Sequence, residues 1–471
     1  MACNGSSSCQ SGCFAGGDEE PENGEIHIDR MSSLSVSTPK DGRTSCPKCG
    51  EETAPQNPSP DGGLCLACFR ASLFGKFKLA VTANSMISPS DNVLVAFSGG
   101  PSSRVALQFV HEMQCKAQKN FDASRDRALP VFGVGVAFID ESSVSSITSD
   151  EVREAIREIG VIVLELAPPV KELHVGVLES SCFAGSDDGR ERLSGLLGTI
   201  GDVTGRDDFM RHLRMLSLQK IALENGYNRL VLGSCTSNIA CHVISATVKG
   251  QGYSLPADVQ YVDGRWEVPV VFPLRDCPSR ELSLLCQLDG LKTQRFLDRP
   301  SSGINGLVSS FLARLQEENP SRERTIVRTA EKLTPFSFNK IPETESNDIL
   351  AARRRRRAQS AKREESIHSE VLCPVCSSPL DLSESQSLKT VLSSCPTRDE
   401  AFAAHCCHSC NLQILPNESL KFSDFYSLLP QPMMERAKDI ASANQAWLRM
   451  IYPGVQLSGK HLQRQLVSQW F

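Results

Sequence analysis

The 471-residue sequence predicts an α/β fold, a doubly wound parallel sheet flanked at its N- and C-terminal ends by cysteine-rich zinc modules. Three observations predict it. Short continuous apolar runs alternate with helical stretches between residues 91 and 290, the pattern of strands covered on both faces. A Ser-Gly-Gly turn closes the first of those runs. Two sets of paired CxxC knuckles bracket the region, at residues 46–68 and 373–410.

Composition limits the function classes first. A 40% hydrophobic and 22% charged chain can bury a sizeable core, and a net charge of −5 excludes holding nucleic acid by bulk charge. RNA contact then needs local basic patches. The N-terminal stretch lacks the basic and apolar regions of a secretory leader and is acidic rather than Arg-rich. No uncharged apolar run approaches the length of a membrane span. The expected setting is the cytoplasm, with no membrane partner. In that reducing compartment nineteen cysteines read as metal ligands or redox centres rather than disulfides.

In chain order, residues 1–42 are expected to be a disordered arm, rich in Ser, Gly and acids, with Cys3, Cys9 and Cys13 irregularly spaced. Residues 43–85 hold Cys46-Pro-Lys-Cys49 and, after fifteen residues, Cys65-Leu-Ala-Cys68. Two knuckles at this separation place four thiolates tetrahedrally around one Zn²⁺; the competing reading is a redox dithiol.

Residues 86–340 are expected to form the α/β domain. Strands are predicted at 92–97, 131–139, 161–166, 230–232 and 270–272. Helices are predicted from Ser102 to about Ala117, over 149–160 with Ser or Asp as N-cap and Gly160 closing, and over 209–226. The segment VLVAFSGGPSSR, 93–104, is a candidate phosphate cradle formed by Ser98, Gly99, Gly100, Ser102 and Ser103. Glycines let the backbone approach a phosphate, while hydroxyls and helix N-terminal N–H groups bind its oxygens. The alternative is an ordinary Gly-Gly turn at a strand–helix junction. Its place at the end of the first strand favours the ligand, because doubly wound sheets bind ligands at the carboxyl ends of their strands.

Residues 341–370 form a polar, basic linker containing Arg353, Arg354, Arg355, Arg356 and Arg357, followed by Lys362 and Arg363. The run reads as a phosphate-binding arm for RNA, a nuclear import signal or a solvated linker. Arg211, Arg214 and Lys220 fit an RNA-facing helix less well than a solvated one. Residues 371–420 hold the second zinc-ribbon-like set, Cys373-Pro-Val-Cys376 and Cys407-His-Ser-Cys410, with Cys406 a competitor for Cys407. Residues 421–471 are a helical tail, including an amphipathic stretch at 433–451. About two zinc ions are therefore expected.

The residues also carry a resemblance. SGGPSS is similar to the SGGxDS loop of PP-loop ATPases, which activate a carbonyl oxygen by adenylation. CPKCGE…LCLACFRASLFGKFK, LVLGSCTSNIA at 230–240 and VPVVFPLRDCPSRELSLL at 268–285 resemble, in the same order, segments of the cytoplasmic tRNA 2-thiolation protein 2 family. Phe272 stands where the family pattern has Arg. The resemblance spans about residues 43–290. It implies a heterodimer with a catalytic PP-loop thiolase subunit, action on the wobble uridine of tRNAs for Lys, Glu and Gln, and sulfur from a thiocarboxylated ubiquitin-like carrier. ATP is then a candidate ligand of the complex.

Departures from an active thiolase qualify that implication. Ser102 stands in place of the motif Asp, and Ser237-Asn238 in place of an acidic pair that would help hold Mg²⁺. The third-strand region has Cys182 alone instead of a CxxC, and Cys235 and Cys241 read as packing residues. No catalytic residue is assigned. The expectation is a non-catalytic or half-competent subunit, with a zinc-stabilised binding scaffold as the alternative.

Overall fold

The computed structural model describes residues 44–53, 64–124, 130–144, 147–166, 170–183, 188–294, 302–340, 367, 371–380 and 402–438. The antiparallel pair β1 (Thr44–Ser45) and β2 (Glu52–Thr53) carries the first CxxC and precedes α1 (Leu66–Ala83). Six further strands make one sheet: β3 (Asn92–Ala96), β4 (Gly133–Asp140), β5 (Val170–Val177), β6 (Arg229–Val231), β7 (Val262–Asp263) and β8 (Val270–Val271). Their order is β5-β4-β3-β6-β8-β7, parallel throughout except for β7 against β8.

Helices connect these strands. They are α2 (Pro101–Ala123), α3 (Ser149–Glu165), α4 (Leu178–Cys182), α5 (Gly189–Thr199), α6 (Val203–Glu224), α7 (Thr236–Val248), α8 (Leu255–Asp258) and α9 (Ser279–Leu288). After the sheet come α10 (Gly303–Glu318), α11 (Arg322–Ala330), α12 (His408–Gln413) and α13 (Ser419–Leu428). Among the described residues no helix is long and apolar enough to cross a membrane.

Strand alternation divides the core in two. Val93 and Val95 of β3, with Val134, Val136 and Phe138 of β4, pack against Phe77 of α1, Phe109 of α2, Ile159 of α3 and Leu285 of α9. Leu94, Ala137, Ile139, Leu230 and Val270 face the other way, toward α4, α5 and α6. Successive side chains point to opposite faces of a strand, so a continuous apolar run is buried on both sides. A third cluster joins Ile239 and Val243 of α7 to Val308 and Leu312 of α10 and Val327 of α11.

One predicted strand is corrected. Residues 161–166 are not a strand but the last turns of α3, which runs through Gly160 to Glu165; the strand lies later, at Val170–Val177. Val152, Ala155, Ile159, Ile162 and Val163 are buried at helical spacing, whereas Val161 and Leu164 are exposed. The helical period therefore decides, and Gly160 costs only about 1 kcal/mol relative to Ala. A Cβ there would meet nothing within 4 Å. The N-cap is Thr148, in a capping box with Glu151, rather than the expected Ser or Asp. The edge strand reads VKELHVGV, and its polar alternation hid it from a search for apolar runs.

A candidate phosphate loop and two candidate metal centres

The strand order reverses between β3 and β6, since β4 and β5 lie on one side of β3 and β6, β8 and β7 on the other. The crevice of a doubly wound sheet opens at that switch, outside the carboxyl ends of the strands. Ser98-Gly99-Gly100 leaves β3 there, and Gly233-Ser234-Cys235 leaves β6 beside it. The two turns touch, for a Cβ on Gly233 would lie 2.7 Å from the Ser103 amide nitrogen.

The loop is shaped by its own hydroxyls. Ser103 Oγ donates to the Gly100 carbonyl at 2.9 Å and accepts from the Ser98 amide at 3.3 Å. Gly99 has φ +82, in the left-handed region that favours glycine, and its carbonyl accepts from the Gln294 amide at 2.8 Å. A Cβ on Gly99 would sit 2.5 Å from the Gln294 carbonyl oxygen. Gly100, the N-cap of α2, has ordinary extended dihedrals, and its Cβ would meet only Ser98 Oγ at 3.8 Å. Pro101 opens the helix, where its missing N–H costs nothing. First-turn N–H groups have no intrahelical partner, so the turn can present donors to an anion. The five loop residues are thus brought together.

The positions that lack acids have other partners. Ser102 bonds the Cys235 thiol, and burial raises the Cys235 pKa above its ordinary value. Ser237 Oγ donates to Glu323 Oε2 at 2.7 Å and accepts from the Ser279 amide at 3.1 Å. Glu323 of α11, which sequence reasoning missed, brings a buried carboxyl to this turn, and burial raises its pKa. Its distance in sequence from 237 left no local signal. Cys182 is buried, 3.7 Å from Ser217 Oγ, and burial pushes its thiol up to about 11. Burial likewise pushes Cys241 up to about 11. Both disfavour the nucleophilic thiolate.

Each CxxC set comes together. Cys46, Cys49, Cys65 and Cys68 form one group, and Cys373, Cys376, Cys407 and Cys410 the other; in each, all four Sγ atoms lie within 4.8 Å of one another. Cys49 and Cys65 Sγ are 3.6 Å apart, as are Cys376 and Cys407 Sγ. A tetrahedral Zn–S₄ centre with bonds near 2.3 Å separates its sulfurs by about 3.8 Å, so the donor sets fit. Amides support the sulfurs, from Cys68 to Cys65 at 3.5 Å and from Cys410 to Cys407 at 3.4 Å. Burial opposes charge on Cys373, yet hydrogen bonds from the neighbouring thiols, Cys376 first, hold its pKa well below the ordinary value. Cys406 stands outside the set and donates instead to the Phe402 carbonyl at 3.5 Å, so Cys407 is the fourth donor.

The basic residues divide. Arg214 pairs with the buried carboxylate of Glu141 through both Nε and Nη2, the second bond at 3.0 Å, while its own side chain stays 39% exposed. Arg211 lies 3.3 Å from Asp208, and Lys220 reaches the Ser180 carbonyl at 3.4 Å. Arg353 to Arg357, Lys362 and Arg363 lie outside the described residues, as do Cys3, Cys9, Cys13 and the tail beyond residue 438.

No protein-family model matches the chain. It is 58% identical over 386 residues to a protein of Oryza sativa subsp. japonica named cytoplasmic tRNA 2-thiolation protein 2, covering 82% of this chain and 83% of that one. The namesake of Arabidopsis thaliana is 53% identical over 453 residues, 95% of this chain and 97% of its own. The namesake of Danio rerio is 25% identical over 367 residues, 65% and 71% of the two chains. Among solved structures, the chain is similar to the U34-tRNA thiolase NcsA from Methanococcus maripaludis with its 4Fe–4S cluster, at 19% identity and a TM-score of 0.46, covering 64% of this chain and 90% of that one.

Proposed function

The chain belongs to the cytoplasmic tRNA 2-thiolation protein 2 family, and we propose that it serves in the cytoplasm as the non-catalytic or half-competent subunit of a wobble-uridine tRNA thiolase. The observation that carries this reading is the identity of more than half of the aligned residues to plant members over most of the chain. Its partner is the catalytic PP-loop subunit of a heterodimer, its substrate the wobble uridine of tRNAs for Lys, Glu and Gln, and its sulfur source a thiocarboxylated ubiquitin-like carrier.

Uridine O2 is a poor leaving group, and ATP bound in the complex supplies the adenylation that makes it displaceable. In this chain Ser98, Gly99, Gly100, Ser102 and Ser103 would hold the nucleotide phosphate. The buried thiol of Cys182 and the half-buried one of Cys241, both with raised pKa, support placing sulfur handling on the partner. Cys46, Cys49, Cys65 and Cys68 would hold one zinc ion and Cys373, Cys376, Cys407 and Cys410 a second, each stabilising the surrounding fold. Arg353 to Arg357 would add a tRNA-binding arm.

Deleting the chain from cells should abolish wobble 2-thiolation, read from the migration of tRNA in mercury-containing gels. The purified chain, given ATP, a sulfur donor and tRNA, should form no 2-thiouridine by itself. Thiolation that persists in the deletion strain would overturn the reading. Gly100→Ala separates the phosphate role from a scaffold role, because the added methyl meets no close neighbour. It should leave the melting temperature nearly unchanged and weaken nucleotide binding by the assembled complex.

A further inference from the structure

A cavity of about 370 Å³ lies where the segments that follow β6 and β8 meet α11. Arg275, four residues past β8, and Thr236, at the start of α7, line it together with Lys76 of α1 and Arg324 and Arg328 of α11. Thr236 follows Cys235, the thiol that Ser102 of the phosphate loop bonds.

Arg275 is the unusual member. Its side chain is 1% exposed, yet no carboxylate closes on it tightly: Asp276 is 3.4 Å and Glu331 3.7 Å from Nη1. Nε donates to the Val259 carbonyl at 2.6 Å, and the guanidinium lies 4.5 Å from the centre of the Tyr261 ring. Nη2 has no hydrogen-bond partner among the described residues. Burying a guanidinium and leaving a donor unmet is unfavourable, and an anionic ligand would offset that penalty.

The neighbouring charges favour such a ligand. Asp276 already accepts from the Tyr261 hydroxyl at 2.8 Å, and Glu281 takes both Lys76, at 2.8 Å, and Arg324. Arg324 and Arg328 are four apart on α11 and share a face. Arg328 has no ion-pair or hydrogen-bond partner among the described residues. Counting Glu281, four cations stand against three carboxylates. The arrangement has a buried guanidinium, two half-exposed cations that share Glu281, and the exposed Arg328, which suits a tetrahedral oxyanion.

We propose that this cavity is a phosphate-binding site, and, resting on the family reading above, that it takes a backbone phosphodiester of the tRNA beside the nucleotide loop. Thr236 and the α7 start would then place the RNA strand next to Ser98–Ser103.

The test is a titration of an unmodified wobble-uridine tRNA transcript against the full-length chain at several salt concentrations. Wild type is compared with Arg324→Gln/Arg328→Gln and with Arg275→Lys, each checked by circular dichroism and thermal melting. The double variant, which lies at the rim and keeps the buried base intact, should bind tRNA about tenfold more weakly, with a salt slope shallower by about 1. Inorganic phosphate should compete with tRNA for the wild type beyond the effect of chloride at equal ionic strength, and should lose that advantage in the double variant. Unchanged tRNA affinity and slope in folded variants would overturn the proposal. If the variants lose phosphate binding but keep tRNA affinity, the ligand is a small phosphate compound and the tRNA assignment falls. The proposed role in thiolation fails separately, through persistent thiolation in the deletion strain.

Discussion

The two cysteine clusters hold the same four sulfur donors in very different surroundings. Around the N-terminal set, Cys46 and Cys65 are buried but Cys49 is exposed and Cys68 half-buried, and among the described residues a two-stranded ribbon and the first turn of α1 frame it. Around the C-terminal set, Cys373, Cys376 and Cys410 belong to the main core, with Phe402, Phe422 and Phe425 packed against Phe209, Met210 and Leu213 of α6. Phe209 and Phe425 lie 5.9 Å apart, and Arg436 ties the last described helical turn to the Pro374 carbonyl at 2.9 Å. Gly205 marks how close the approach is, since a Cβ there would fall 1.9 Å from the Gln413 carbonyl oxygen. Identical ligand chemistry thus supports a peripheral staple at one end and part of the principal core at the other.

Four measurements would break or sharpen that contrast. The largest effect is expected from Cys410→Ser, which removes a donor that is 1% exposed inside the core. Loss of one metal equivalent by elemental analysis should accompany loss of the cooperative melting transition, because a metal bound by a set inside the core would contribute its binding energy to folding. A folded Cys410→Ser protein with normal melting would show that the C-terminal set is dispensable.

Next is Phe425→Ala, which should cost about 3–5 kcal/mol in denaturant unfolding while both metals remain bound. Phe425 is fully buried but ligates nothing, so the variant separates packing from coordination. A cost under about 1 kcal/mol would mean that α13 contributes little to the core.

Acid gives a third, intermediate effect. Burial holds the His212 imidazole of α6 down to about 4. Between about pH 6.5 and 4 the unfolded chain therefore binds more protons than the folded one, and stability falls as pH falls through that window. His212→Gln should flatten this part of the stability–pH curve. His111 and His405, also held down by burial, act in the same direction, as would thiolate protonation in the metal centres, so the residual slope is shared among them.

The smallest effect on the core is expected from Cys46→Ala. It should release one metal equivalent and expose residues 44–53 to proteolysis, with the main melting transition close to wild type. A collapse of that transition would show that the N-terminal staple holds α1, and through Phe77 and Phe109 the sheet, in place.

Some of this was set by the sequence alone. Continuous apolar runs at 92–97, 131–139, 230–232 and 270–272 become strands within a residue or two, because a fully buried parallel strand has no polar face to disguise it. CxxC spacing set the pair of thiols within each knuckle, since two residues between thiols is local geometry, and the repeated pairs marked which knuckles would meet. The Ser-Gly-Gly turn declared itself for the same reason, through the left-handed backbone at Gly99.

What only the tertiary structure decided involves partners far apart in the chain. The segment 161–166 satisfies both a strand run and a helical stripe, and the neighbours of Ile159 and Ile162 chose the helix. Cys407 and Cys406 are equivalent as letters, but the distance to Cys376 distinguishes them. Arg214 paired with Glu141, 73 residues earlier, and Glu323 reached Ser237 from 86 residues away. Arg275 came to lie over Tyr261 with α11 closing the cavity. Such pairings are fixed by how helices pack on the sheet, and burial sets the charge state of a side chain only once that packing exists.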